Sequence, residues 1–130
     1  MIETDFPLRT IESLRASKIE TFWYICSPYA KYRHGKEAAF EDACMWAAKL
    51  IKAGVPAFSP IAHSHSIASI AVMDKDSHDL WMPQDLSILR GAQGVLIAPM
   101  EGWLESKGVA MEVADAWRQD KPVFLIDGTL

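Results

Sequence analysis

The 130-residue sequence predicts an α/β domain in which a parallel sheet is covered by helices on both faces. Three observations carry that expectation. Short apolar runs recur at 22–27, 55–59, 94–98 and 122–126. Segments with apolar residues at helical spacing separate them, and the connections are too long for hairpins. The first run, Phe22-Trp23-Tyr24-Ile25-Cys26-Ser27, is apolar on both alternating faces, which suits a strand buried between two helical layers.

Residues 1–20 are mixed and weakly patterned, with Thr10 placed to cap a short helix carrying Ile11, Leu14 and Arg15. They read as an N-terminal arm ahead of a single domain over 21–130. Pro28 stops the first strand, and 28–35 is a loop containing Tyr29, Lys31, Tyr32, Arg33 and His34. Such groups can stack on a base or meet an anion, and they are equally compatible with an ordinary polar loop. Over 36–53 the pattern is helical, with Phe40, Ala43, Ala47, Leu50 and Ile51 on one side and Gly54 as the stop. A short second strand follows at 55–59.

Residues 59–82 read as a long connection with S-P-I-A-H-S-H-S and a polar D-K-D-S-H-D run. His63 and His65 have no Cys or third His at ligand spacing, so hydrogen-bonding histidines are favoured over a metal site. A helix over 81–90 places Pro83 near its start, buries Leu86 and Leu89, and puts Asp85 in the first turn, where a carboxylate also complements the helix dipole. The third strand is 94–98 and the fourth 122–126.

Between those two strands, Pro99-Met100-Glu101-Gly102 forms a turn and 106–117 a helix with Ser106 as N-cap and Gly108 in its first turn. Val109, Val113 and Ala116 recur at i, i+4 and i+7, and Glu112 falls on the same stripe. A carboxylate is therefore directed inward. Gly108, Val109, Asp115 and Ala116, its helical neighbours, offer no basic partner. Buried carboxylates are uncommon unless paired or functional.

Right-handed crossovers through these elements give a trimmed flavodoxin-like, three-layer fold with a parallel sheet of about four strands in the order 2-1-3-4. Ligands in such sheets bind beyond the carboxyl ends of the strands where the order reverses, here between strands one and three. The loops 27–35 and 99–106 meet there. Asp85 reaches the crevice if its helix begins near the same edge.

Composition narrows the partners. A net charge of −4, a pI near 5.5 and no Lys/Arg-rich run argue against a nucleic-acid polymer, whose binding depends on phosphate neutralisation. Cys26 and Cys44 lack C-x-x-C spacing and read as reduced thiols. No apolar run approaches a membrane span and the N-terminus lacks a signal-peptide core, so the expectation is a cytoplasmic protein with no membrane partner.

Tyr24-Ile25-Cys26-Ser27-Pro28-Tyr29, Asp85 ahead of the third strand, and Ser106-x-Gly108-Val109-x-x-Glu112 with Ala116 together resemble the nucleoside 2-deoxyribosyltransferase superfamily, which includes the deoxynucleoside 5'-monophosphate N-glycosidases. The similarity runs from Tyr24 onward, within a branch of small bacterial and phage domains, and the signature helix is its most specific part. The resemblance implies N-glycosidic cleavage or transfer on a nucleotide or nucleoside without metal or cofactor. Glu112 would be the nucleophile toward the anomeric carbon, and Asp85 would assist departure of the base. Tyr24, Ser27, Tyr29, Arg33, Ser106, Lys107 and Gly108 would bind substrate, the last three holding a 5'-phosphate at the helix start. It also implies a homodimer or higher homo-oligomer, in keeping with Trp46, Trp81, Trp103 and Trp117, more large aromatics than a four-stranded core should bury.

Two positions depart from the family pattern. Ser27 stands where a glycine is usual, and Glu105 where the free-nucleoside transferases carry an aspartate, which tilts the expectation toward a nucleotide. The second reading is a noncatalytic nucleotide or sugar-phosphate binding module. A receiver-type signalling domain is disfavoured, because Cys26-Ser27-Pro28 replaces the acidic cluster expected at the end of the first strand.

Overall fold

The computed structural model describes residues 6–130. It contains a five-stranded, all-parallel sheet flanked by helices. The elements run β1 (Leu8–Thr10), α1 (Ile11–Ala16), β2 (Trp23–Cys26), α2 (Lys36–Lys52), β3 (Ala57–Phe58), α3 (Pro60–Ala71), α4 (His78–Gly91), β4 (Gly94–Ile97), α5 (Lys107–Arg118) and β5 (Val123–Asp127). The sheet order is β1-β5-β4-β2-β3.

The four expected strands keep their expected neighbours, and β2 pairs in parallel with β4 at the centre, Tyr24 opposite Val95 and Cys26 opposite Ile97. The sheet has one strand more than anticipated. Residues expected as part of an arm form β1, which pairs with the edge of β5, Leu8 opposite Leu125. Its pattern is only half-buried, so the strand carries no apolar alternation that marks it in sequence. Thr10 caps α1 as expected, accepting from the Ser13 amide. Residues 1–5 of that arm lie outside the described residues.

The alternation along β2 explains the layering. Trp23 and Ile25 point into one core with Leu14, Trp46, Leu50 and Leu96. Tyr24 and Cys26 point into the other, with Val95, Ile97, Leu89, Val109, Val113 and Ala116. Strand side chains alternate faces, so a strand between two helical layers must be apolar throughout. Tyr24 and Cys26 are thereby directed at α5. Of the stripe expected on α2, Ala43 and Leu50 are buried, whereas Ile51 is exposed and Trp46 takes the core position.

The region 59–82 departs most from expectation. Ser59 caps α3 by accepting from the Ala62 amide, Pro60 occupies its first turn, and the helix closes at Val72. Ser77 caps α4, which begins three residues earlier than expected. Pro83 consequently lies inside the helix and Asp85 two turns from its start, away from the dipole terminus. Of the serines and histidines that read as loop residues, Ser59 and Ser77 are caps, whereas Ser64 and His65 are buried on the inner side of α3. Among the described residues, no helix is long and apolar enough to cross a membrane.

Candidate functional site

A cleft of about 300 Å³ opens at the carboxyl ends of β2 and β4. The loop after β2 forms one side, from Ser27 to Tyr32. The loop after β4 and the start of α5 form another, with Gly102, Glu105, Ser106, Lys107 and Gly108. Ile61 and Ser64 of α3 contribute a third wall. The fourth is a stripe on α4, His78, Trp81, Met82 and Asp85, spaced i, i+3, i+4 and i+7 as one helical face requires. Trp81, Met82 and Asp85 fall within the helix expected over 81–90, and His78 joins them because the helix starts three residues earlier.

Glu112 lies at the floor of the cleft, 5% exposed, in the second turn of α5. The Tyr24 hydroxyl donates to its Oε2. Burial pushes the Glu112 carboxyl up to about 8, the Asp85 charge adds to the rise, and Tyr24 and the Cys26 thiol oppose it. Tyr24 and Cys26 are themselves raised well above their ordinary values, chiefly by burial and then by the charge of Glu112. Asp85, 6% exposed, is raised by burial to about 6, and its Oδ1 has no hydrogen-bond partner. Two carboxyl groups with separated titrations thus share one cavity.

Other polar atoms around the cleft are also unpartnered. Ser27 is 5% exposed with its Oγ unbonded, and His78 Nδ1 is likewise unbonded. Ser106 Oγ accepts from the Val109 amide, fixing the start of α5, and the first-turn amides of a helix lack intrahelical acceptors. A Cβ on Gly108 would lie 3.9 Å from His78 Cε1, so the starts of α4 and α5 abut beside the cavity that both line. Among the described residues, Lys31, Lys75 and Lys107 line the cleft without an ion pair.

Ser27, Tyr29, Asp85, Ser106, Lys107, Gly108 and Glu112 are therefore brought together on one cavity. Two other sequence-predicted residues stand elsewhere. Tyr24 is fully buried behind Glu112 and supports the carboxylate from the core. Arg33 is 75% exposed, and its Nη1 lies 3.1 Å from Glu101 Oε1 in a pair that His34 joins at 3.2 Å. This pairing holds the Glu101 carboxyl below the usual range, through the Arg33 hydrogen bond above all. His65 has both ring nitrogens engaged, with Tyr29 and with Glu37. Among the described residues, no group of three or more His, Cys, Asp or Glu could hold a metal ion.

The arrangement can present a carboxylate to one face of a ligand and a second acid near it, with cations and helix amides at one end. No curated protein matches the sequence. One family does match, over residues 21–128 and hence from just before β2 through the end of β5; the chain belongs to the family described as a domain of unknown function (DUF1937).

Proposed function

We propose that the protein cleaves or transfers the N-glycosidic bond of a nucleotide or nucleoside, as the resemblance to the nucleoside 2-deoxyribosyltransferase superfamily implies. The observation that carries this reading is Glu112: a carboxyl buried at the cleft floor, oriented by Tyr24 and beside the unpartnered Asp85. Departure of a base builds oxocarbenium character on the sugar. In this reading ionised Glu112 bonds to the anomeric carbon as the C–N bond breaks, and Asp85 in its acid form delivers a proton to the departing base. Water or an acceptor then displaces the glycosyl group from Glu112.

The unpaired lysines and the α5 start favour an anionic substrate, so a 5'-phosphate at Ser106, Lys107 and Gly108 is part of the proposal. Base release from a panel of 2'-deoxynucleotides and nucleosides tests it. Release by wild type and none by Glu112→Gln supports the reading; no release by wild type from any substrate moves the assignment to a binding module.

A homodimer or larger homo-oligomer belongs to the same proposal. Trp46 is absorbed by the core, but Ile70, Val72 and Trp117 remain exposed. Solvent-exposed apolar side chains of this size favour association.

A further inference from the structure

Tyr29 is held by a chain of groups that the glycosidic chemistry does not use. Its hydroxyl lies 2.6 Å from His65 Nδ1, and His65 Nε2 lies 2.9 Å from Glu37 Oε2. His65 is 5% exposed and stacked on Phe40, with ring centroids 4.3 Å apart, which fixes the imidazole plane. Glu37 is a surface carboxylate and can only accept, so the neutral imidazole carries its proton on Nε2. Nδ1 is then an acceptor, and the Tyr29 O–H must donate to it. Burial, with Asp76 and Glu37 adding to the effect, pushes the Tyr29 phenol up to about 12, so the proton stays on the ring oxygen. What remains for a ligand in the cleft is the lone pairs of that oxygen.

Topology indicates which part of a ligand meets it. Along the sheet the order is β4-β2-β3, with the start of α5 following β4 and α3 following β3. A substrate with its anionic end at Ser106–Gly108 and its reacting carbon at Glu112 extends its base toward the α3 wall. Tyr29 and Ser64 line the cleft on that side.

We infer that Tyr29 is a specificity-determining residue, fixed as a hydrogen-bond acceptor by the positioning residues His65 and Glu37, and that it selects a nucleobase bearing an exocyclic amino group over its keto counterpart. The amino group is the donor that projects furthest from the ring, and a keto oxygen there would face another acceptor. One neutral hydrogen bond gained or lost sets a preference on the order of tenfold. The ligand class rests on the proposed glycosidic function.

The test is kcat/KM for dAMP against dIMP and dCMP against dUMP, near neutral pH, where Asp85 and Glu112 share one proton. Wild type should favour the amino member of each pair it cleaves by about tenfold. Tyr29→Phe and His65→Leu should bring the ratio to about one, the second because the freed phenol can donate as well as accept. Glu37→Ala, at an exposed position that leaves the core intact, should lower the ratio in the same direction. An even ratio in wild type, or a preference that survives Tyr29→Phe, overturns this inference alone. A preference that survives both His65→Leu and Glu37→Ala overturns the positioning role. Failure of wild type to cleave any of the four counts against the glycosidic reading; the same ratios are then read as Kd by calorimetry, and no binding, or an even Kd ratio, overturns this inference as well.

Discussion

Glu112→Gln should separate chemistry from stability. The Glu112 carboxyl is raised from 4.5 to about 8 by burial. Ionising it in the folded state therefore costs up to about 5 kcal/mol more than in the unfolded chain. The sign follows from proton counts. Below the unfolded value both states are protonated and there is no penalty. Between 4.5 and about 8 the folded state binds more protons than the unfolded chain, so stability falls as pH rises. Above that the penalty is complete. Glutamine fills the same volume, keeps a carbonyl to accept from Tyr24, and cannot ionise. The variant should match wild type near pH ~5 and exceed it near pH ~9, by about 2–5 kcal/mol in urea denaturation. Base release should be lost at every pH, since the amide has no anionic oxygen to attack the anomeric carbon. A stability difference that does not change with pH, or a variant less stable throughout, refutes the assignment of a carboxyl whose ionisation is opposed by burial. Persistent base release by the variant refutes its role as nucleophile.

Because activity requires one proton shared by Asp85 and Glu112, kcat/KM should be bell-shaped with limbs near about 6 and about 8. In Asp85→Asn the residual activity should show a single rising limb with its midpoint below about 8, because the Asp85 charge no longer raises Glu112; a midpoint still at about 8 counts against their coupling. Tyr24→Phe removes a donor that favours ionised Glu112, so the limb near about 8 should move alkaline and activity at neutral pH fall about 10- to 100-fold, from the loss of about 1.5–3 kcal/mol. An unchanged pH profile would place Tyr24 outside the mechanism. Gly94→Ala should destabilise by about 1–3 kcal/mol in urea denaturation. Its Cβ would lie 2.5 Å from Trp23 Cζ3 and 2.8 Å from the Pro122 carbonyl oxygen, in the central strand. Light scattering should return at least a dimer, and a 14.5 kDa particle at micromolar concentration refutes the association.

The layered α/β class, the four-strand order and the inward aim of Glu112 were legible in the sequence. Each depends on local periodicity: apolar runs for buried strands, and a stripe at 109, 113 and 116 that carries 112 with it. The caps Thr10 and Ser106 were legible for a similar reason, since a capping side chain bonds an amide three residues ahead. The helix over Pro60–Ala71 was obscured because Ser, His and Pro residues signal turns unless a cap and a packing partner recruit them. Strand β1 was hidden because an edge strand of three residues takes its conformation from the β5 backbone it pairs with, not from its own pattern.

The tertiary structure alone decided which groups meet. Asp85 reaches the cleft because α4 starts earlier and runs past it, while Arg33 is diverted to Glu101 by a contact 68 residues away in sequence. The engagement of His65 between Tyr29 and Glu37 likewise joins three separate segments. Protonation was out of reach for the same physical reason. A carboxyl's titration follows from the solvent it loses and the charges it faces, and both are properties of packed surfaces that no single stretch of sequence contains.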